Sequence, residues 1–360
     1  MVPSQTMLSE KATLSGTISD SLDSAPRRRI TLTEQFWVDS YQFLLSRGYR
    51  LRPRYHTSWV PSWGNGSPIR QRSEDFFASY APHALDGRCL KDNRKVVLKR
   101  VKGKELEILR HLDALRSDAR NRTIPILDYI PFPGTEWTFV VMPYGRPFNS
   151  PPFHCRDEFV DAMRQYIEGL QFIHEHNIVH FDVAPQNMLT EECRLIPRGS
   201  HWSHPDSHSG HRGDFFSWKN RCSLRPALQY YYIDFGLSMH FPHRDSARMT
   251  GTLRTFPMIP ELSLTVPYNP FYVDVFQLGL VMSRIIDVYP ALEEFRPVAA
   301  SLTRDDPHTR ATLEGALQQL NSVHDGMLPL RRRRIWDKGT TRWKKVTRIV
   351  FGGQWGLPDH

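Results

Sequence analysis

The chain has 360 residues, 40% of them apolar, and a formal net charge of +9. This length suits one two-lobed catalytic unit with appendages, and the apolar share is enough for a packed core. The four cysteines are scattered, which disfavours a disulfide scaffold, and the polar N-terminus disfavours a secreted protein. No apolar run is long enough to cross a bilayer. We therefore expect a soluble intracellular protein, cytoplasmic, nuclear or both.

The N-terminal 70 residues predict a tail, a helix and a linker. Residues 1–30 are rich in Ser and Thr and end close to three arginines, a composition typical of disorder. Thr31 and Glu34 then form a capping box, which predicts a helix over about 32–47 within a segment 31–70. The helix has an apolar stripe that either packs on the next domain, our default, or docks a partner. Its members are Phe36, Trp37, Tyr41, Leu44 and Leu45.

Residues 71–145 predict strands and one helix. A buried strand is expected over 95–99, ending in Lys99, and residues 105–112 have the apolar spacing of a helix. A further apolar strand over 139–142 runs into Pro143-Tyr144-Gly145. In the following segment, 146–325, a long amphipathic helix is expected over about 158–176, with its apolar stripe in the core.

Two short motifs in this second segment carry the most information. His180-Phe181-Asp182 is followed by Asn187, and Asp234-Phe235-Gly236 comes after an apolar, strand-like run. Carboxylate and amide oxygens at this spacing suit magnesium, a hard cation, in phosphoryl transfer from ATP. Polar residues that merely cap turns are the alternative, but they predict no fixed spacing between Asp182 and Asn187.

These motifs resemble those of protein kinases, in unbroken order over about residues 85–322. More narrowly, the sequence around 142–144, 180–182 and 232–238 is similar to a family of fungal kinase-like proteins, most of them uncharacterised. The resemblance implies an α+β fold with two lobes, a small antiparallel β lobe with one helix (71–145) and a larger, mainly helical lobe (146–325), with ATP between them.

The resemblance also implies roles for single residues. Asp182 would be the catalytic base, and Asn187 and Asp234 would hold Mg²⁺. Lys99 would bind the ATP phosphates, oriented by Glu105, with Glu107 as the alternative and a solvated charged face as the other interpretation. Only six residues separate Lys99 from Glu105, which is shorter than in most kinases and implies a truncated or re-angled helix. The adenine would lie at the hinge into which the strand 139–142 runs, at Tyr144 and Gly145, with Met142 as the gatekeeper, although a plain buried strand explains the same residues.

Further positions would have structural roles in a kinase. Asp274 resembles the aspartate that braces the catalytic loop from a helix. Ile259-Pro260-Glu261 resembles the end of the activation segment, whose glutamate would pair with Arg310.

The sequence departs from the kinase pattern at several points. No G-x-G-x-x-G precedes Lys99, and Gly64-Asn65-Gly66 lies more than thirty residues upstream, so we expect weaker or altered nucleotide binding. Phe181 replaces an arginine that grips a phosphorylated activation loop, which argues against switching by phosphate there. Ala184 and Gln186 leave the acceptor class open. Between Pro290 and Asp306 there is space for about one helix, so peptide docking is expected to be reduced.

Residues 190–229 form a long insertion rich in His, Ser, Pro and Arg. A flexible, solvated loop is the interpretation that this composition favours. The alternative is a zinc site. Its candidate ligands are His201, His204, His208, His211, Asp206, Asp214 and Cys222.

The C-terminal segment 326–360 is basic and aromatic, beginning with four arginines at 331–334. Such a segment is either a solvated or targeting tail or a site for an acidic partner, such as a nucleic-acid backbone or anionic lipid.

For the whole chain we expect Mg-ATP-dependent phosphotransfer, by a monomer, to a hydroxyl on Ser or Thr of a protein substrate. The alternative is a pseudokinase that senses nucleotide or acts as a scaffold. A small-molecule acceptor is the third option, which the sequence alone does not separate from a protein.

Overall fold

The computed structural model describes residues 29–62, 74–76, 78–79, 81–210, 216–253, 258–341 and 345. The α-helices in these ranges are α1 (Leu32–Ser46), α2 (Gly103–Ala114), α3 (Arg156–Glu175), α4 (Phe271–Val288), α5 (Arg296–Leu302) and α6 (Leu313–Asp325). The strands are β1 (Tyr49–Leu51), β2 (Ala84–Cys89), β3 (Lys95–Val101), β4 (Asp128–Pro131), β5 (Thr138–Pro143), β6 (Gly145–Pro147), β7 (Ile178–Val179), β8 (Met188–Glu191), β9 (Tyr230–Tyr232), β10 (Met239–His240), β11 (Met249–Gly251) and β12 (Ser263–Tyr268). Among the described residues, each helix is too short or too polar to cross a membrane.

The small lobe is an antiparallel sheet with the strand order β1-β2-β3-β5-β4. The central strand β3 pairs Lys99 with Ala84 of β2 and with Val140 of β5. The sheet includes Tyr49, so this lobe starts before the expected boundary at 71. β1 was not predicted from the sequence, because the strand has only three residues and lies in an arginine-rich stretch. The connection from β1 to β2 contains Gly64-Asn65-Gly66, which lies outside the described residues, as does the tail over 1–28.

Helix α1 covers one face of this sheet. It begins after Thr31, whose backbone N–H donates to Glu34 Oε2 (3.0 Å) while its own Oγ1 accepts from the Glu34 backbone N–H (3.3 Å), so the capping box is formed. Most of the predicted stripe is buried against the strands. Its inner members are Trp37, Tyr41 and Leu44, and they pack on Leu85, Leu98, Phe139 and Val141.

The large lobe is built around α3, which lies in the centre of the main hydrophobic core and is contacted by α6 and β9. The predicted helix at 158–176 is therefore present, two residues earlier, as α3. The stretch between Pro290 and Asp306 holds one seven-residue α-helix, α5, preceded by a short 3-10 segment. The two-lobed α+β fold expected from the sequence is confirmed.

The insertion at 190–229 is packed rather than solvated in its described part, and that expectation is wrong there. Six apolar side chains spaced along it join the main core, although polar residues dominate its composition. They are Leu195, Ile196, Phe216, Trp218, Leu224 and Leu228.

The start of the C-terminal segment is also part of the large lobe. Ile335 is 3% exposed, and its backbone N–H donates to the His154 carbonyl. Lys338 donates its backbone N–H to Val288 in the same way. The expected solvated tail does not begin at 326; the basic residues beyond 341, apart from Lys345, lie outside the described part of the chain.

Candidate active site

Lys99 and Glu105 meet because the chain turns directly from β3 into α2. Val101 ends the strand, and Gly103, with a φ of +54°, begins the helix. Lys99 Nζ lies 2.5 Å from Glu105 Oε1 and 2.7 Å from Asp234 Oδ1. Glu107 is exposed on the other side of α2. Helix α2 begins only two residues after the end of β3, and this short connection brings Glu105, six residues after Lys99, to the lysine.

The charges of this cluster stabilise each other. Burial alone would lower the pKa of Lys99, but Asp234 and Glu105 outweigh it and hold the pKa above its usual value. Burial likewise acts to raise the pKa of Asp234, but Lys99 outweighs it and holds that pKa below its usual value. Both groups are therefore charged at neutral pH, and their ion pair holds β3 against the start of the Asp234-Phe235-Gly236 motif, while the contact of Lys99 with Glu105 adds α2 to the cluster.

Asp274 fixes the backbone of the catalytic loop from α4. Its buried carboxylate accepts hydrogen bonds from the backbone N–H groups of His180 (2.8 Å) and Phe181 (2.7 Å) and contacts His174 Nε2 at 2.9 Å. These contacts hold Phe181 at a φ of +68°, a conformation that is costly for a non-glycine residue. The bracing contact suggested by the sequence is thus present.

Asp182 and Asn187 lie side by side in this loop. Asn187 Nδ2 donates to Asp182 Oδ2 (2.7 Å) and to the Asp182 carbonyl (3.0 Å), which leaves Asn187 Oδ1 open to another ligand. Asp182 Oδ1 accepts no hydrogen bond from the described residues. Burial raises the pKa of Asp182, and the bond from Asn187 offsets part of that rise.

Asp234 is tied to the same loop through its neighbours in sequence. His180 Nε2 contacts the Ile233 carbonyl at 3.0 Å, and the Ile233 N–H donates to the Asn187 carbonyl at 3.0 Å. Asp234 itself has a φ of +63°, which turns its side chain back toward Lys99. These hydrogen bonds therefore hold the two motifs together beside Lys99, at the cleft between the lobes.

A cavity of about 340 Å³ opens between the lobes beside these residues. Lys99, Glu105 and Asp234 line one end, and Met142, Tyr144 and Gly145 line the other. Its walls are mainly apolar. These wall residues were not singled out from the sequence, although the alternation of apolar side chains along the strands could have indicated part of them. The wall residues are Ala84, Val97, Leu109, Ile124, Pro143, Pro147, Leu189, Trp202, Pro205, Ile233 and Phe235.

The predicted hinge residues contact both lobes. Met142 pairs with Val97 in the sheet. Gly145 lies so close to the large lobe that a Cβ there would come within 3.0 Å of Leu189 Cδ1. The Tyr144 ring is partly exposed and lies under Lys95, whose Nζ lies 3.4 Å from the ring centroid.

The described histidines of the insertion do not gather as a zinc site would require. His208 uses both ring nitrogens, with Nδ1 at 2.5 Å from the Gly199 carbonyl and Nε2 accepting from the Ser217 N–H. Cys222 instead lies with Cys155 and Glu158, the one group of metal-ligand type found in the described ranges. His211 and Asp214, the remaining candidates, lie outside the described residues.

The predicted pair of Glu261 and Arg310 is present. Arg310 Nη1 lies 2.5 Å from Glu261 Oε1, and Nη2 lies 2.7 Å from Oε2, so the contact is bidentate. Arg310 also donates to three backbone carbonyls, which anchors the end of the activation segment to the large lobe.

Comparisons with known proteins agree with this arrangement. No family model matches the chain. The chain is 22% identical over 200 residues to a probable casein kinase II subunit alpha homolog from Encephalitozoon cuniculi, an alignment that covers 54% of this chain and 52% of that protein. It is 23% identical over 165 residues to a probable cell division protein kinase of the same organism, covering 46% and 49%. It is 25% identical over 193 residues to the mitogen-activated protein kinase HOG1A of Wallemia ichthyophaga, covering 52% and 40%.

The chain thus spans about half the length of the first curated relatives it matches. A solved structure described as a crystal structure of the Rad53 kinase domain and SCD2 matches over 66% of this chain and 82% of that chain, with 14% identity and a TM-score of 0.39. The kinase relatives, the motif order and the two-lobed fold with its lysine and aspartates at one cleft together show that the chain contains a protein-kinase-like domain.

Proposed function

We propose that this protein transfers the terminal phosphoryl group of ATP to a hydroxyl, on a serine or threonine of a protein substrate. The observation that carries the proposal is Lys99 in contact with both Glu105 and Asp234 at one end of the interlobe cavity. A structural ion pair would not account for Asp182 Oδ1, which accepts no hydrogen bond from the described residues although its loop is tied to Ile233, the residue before Asp234. The protein acceptor is proposed by analogy with the relatives, whose names are those of protein kinases.

The residues present fit Mg-ATP. The cavity has apolar walls and a volume of about 340 Å³, within the range of small-molecule sites, and its apolar end suits a purine. Asp234 and the free Oδ1 of Asn187 supply the carboxylate and amide oxygens that magnesium prefers. When bound, Mg-ATP supplies the phosphoryl group that is transferred.

The chain's own residues would then divide the remaining work. Lys99 presents a fixed positive charge to phosphate oxygens, because its pKa is held high by two carboxylates. Asp182 receives the proton of the acceptor hydroxyl on Oδ1, while Asn187 holds Oδ2 and so fixes the carboxylate plane. A pKa raised by burial makes Asp182 a better proton acceptor than an exposed aspartate.

Nucleotide binding tests the first part of the proposal. Calorimetry with ATP, with and without magnesium, should show magnesium-dependent binding in the wild type that is lost in Asp234→Asn. A matched control is Asp39→Asn, since Asp39 is exposed on α1, far along the chain from the cleft residues. A well-folded wild type that binds no ATP would contradict the proposal and favour a scaffolding role.

Phosphotransfer tests the second part. Asp182→Asn should keep ATP affinity close to that of the wild type and lose transfer of labelled phosphate to a panel of protein and small-molecule acceptors, whereas Asp39→Asn should keep both. Binding in the wild type without transfer to any acceptor would support the pseudokinase alternative. Transfer of the label to a small molecule but not to protein would show that the acceptor is a small molecule.

A further inference from the structure

The insertion returns to the nucleotide cavity at the hinge. Two of its residues, Trp202 and Pro205, line the cavity together with Tyr144 and Gly145. The Trp202 and Tyr144 rings lie with centroids 6.0 Å apart at an angle of 58°. The hinge end of the cavity is therefore closed by an aromatic side chain that comes from the large lobe's insertion.

Two cationic side chains, Lys95 and Arg146, fix the chain on the two sides of Trp202. On one side, Lys95 of β3 donates to the Ser200 carbonyl at 2.6 Å. On the other, Arg146 donates to the Pro205 carbonyl at 3.1 Å. The Arg146 side chain is fully buried and lies 3.5 Å from Glu192, which also accepts a hydrogen bond from Ser200 Oγ. These contacts connect the strand β3, the hinge and the insertion.

The backbone between these anchors has little freedom. His201 donates its N–H to the Ser207 carbonyl at 2.9 Å, and Ser207 donates to His204 at 3.0 Å, which closes a short turn. Gly210, at a φ of +87°, lets the His201 ring approach to within 3.0 Å of where a Cβ would be. A side chain held in place before a ligand arrives loses less entropy on binding, so Trp202 is placed as a preorganised contact.

We propose that Trp202 is a nucleotide-contact residue, whose indole packs on the base and ribose of a purine nucleotide bound between the lobes. This inference rests on the proposed ATP-binding function and adds a residue to its site. A flat aromatic face is suited to stacking with a nucleobase, and the partly exposed indole at the cavity edge leaves one face for the ligand. The insertion thereby supplies additional contact area for the nucleotide at the hinge end of the cavity.

The test compares substitutions at Trp202 with a matched tryptophan outside the cavity. Trp202→Ala should weaken ATP binding by about tenfold, the effect expected for loss of one stacking contact, and Trp202→Phe should restore most of the affinity. The control is Trp137→Ala, since Trp137 is likewise partly exposed but lies on the small lobe's sheet beside Arg100 and Lys102. It should leave ATP affinity unchanged.

A second measurement does not depend on the alanine variant folding well. Quenching of tryptophan emission by bound ATP should be present in the wild type and in Trp137→Phe and be largely lost in Trp202→Phe. Wild-type ATP affinity in Trp202→Ala, with quenching kept in Trp202→Phe, would overturn the inference and leave the proposed function standing. A wild type that binds no ATP would instead refute the proposed function, and the inference with it.

Discussion

The bidentate pair of Glu261 and Arg310 allows a quantitative test of how the activation segment is held. The Arg310 side chain is 1% exposed and that of Glu261 is 7% exposed, so removal of either partner strands a buried charge. Breaking such a pair from one side costs about 3–5 kcal/mol of unfolding free energy. Arg310 also donates to the carbonyls of Arg304, Tyr272 and Asp305, so we expect its loss to be the more costly one.

The expected values follow from these contacts. Arg310→Met should cost about 4–5 kcal/mol, because it strands both the carboxylate and the carbonyls. Glu261→Gln should cost about 3 kcal/mol, because the guanidinium keeps its backbone acceptors and a neutral amide oxygen. The double variant should cost about as much as Arg310→Met alone, which corresponds to a coupling energy of about 3 kcal/mol between the two side chains.

Urea unfolding of the four proteins in one buffer measures these values. The control is Glu293→Gln, which removes the charge from an exposed contact at 3.0 Å with Arg296 and should leave the urea midpoint almost unchanged. If the two single substitutions each cost less than about 1 kcal/mol, or if their effects simply add in the double variant, the pair does not anchor the segment as described.

Three further outcomes are expected. Burial lowers the pKa of both His174 and His180, so at low pH the unfolded chain binds protons that the folded chain does not. The free energy of unfolding, measured with urea, should therefore be at its full value above about pH 6.5 and fall as the pH is lowered below it. In His174→Gln this free energy should fall less steeply with pH. Phe181 packs in an apolar cluster with Leu253 of the activation segment, so Phe181→Arg should lower the free energy of unfolding by about 2–4 kcal/mol, against about 1 kcal/mol for Phe181→Leu. Equal losses in the two variants would refute this. Thr31→Ala should lower the free energy of unfolding by about 1 kcal/mol, because it removes the N-cap of α1, whereas Thr31→Ser should be close to the wild type. Equal stabilities of the two variants would show that the cap is not needed.

The proximity of Asp182 and Asn187 was predictable because both belong to one short motif. Asp182 and Asn187 are five residues apart, and one hydrogen bond of 2.7 Å joins them directly. Lys99 and Glu105 were predictable for the same reason, since a strand and the next helix are separated here by a single turn of chain. The partner of Lys99 across the cleft, Asp234, was found only through the resemblance to kinases, because 135 residues separate the two.

The cavity walls and the short strand β1 were harder to predict. Leu189 and Ile233 come from different strands, and their apolar character fits a buried core as well as a ligand wall. β1 has three residues, fewer than the alternation signal needs. Both features depend on which strands pair, and the strand order is set by contacts that are distant in the sequence.

The insertion shows why composition alone misjudged a segment close to the site. Its polar residues suggested solvation, yet Glu192 is buried because Arg146 lies beside it, and Ser200 is buried because its carbonyl accepts from Lys95. Both cations belong to other parts of the chain, so nothing within the insertion indicates that its polar groups are paired. A polar loop can be ordered when distant residues satisfy its hydrogen bonds, and here those residues are the strand and hinge that bound the nucleotide cavity. The order of this loop and the shape of the cavity therefore depend on the same two cations, Lys95 and Arg146.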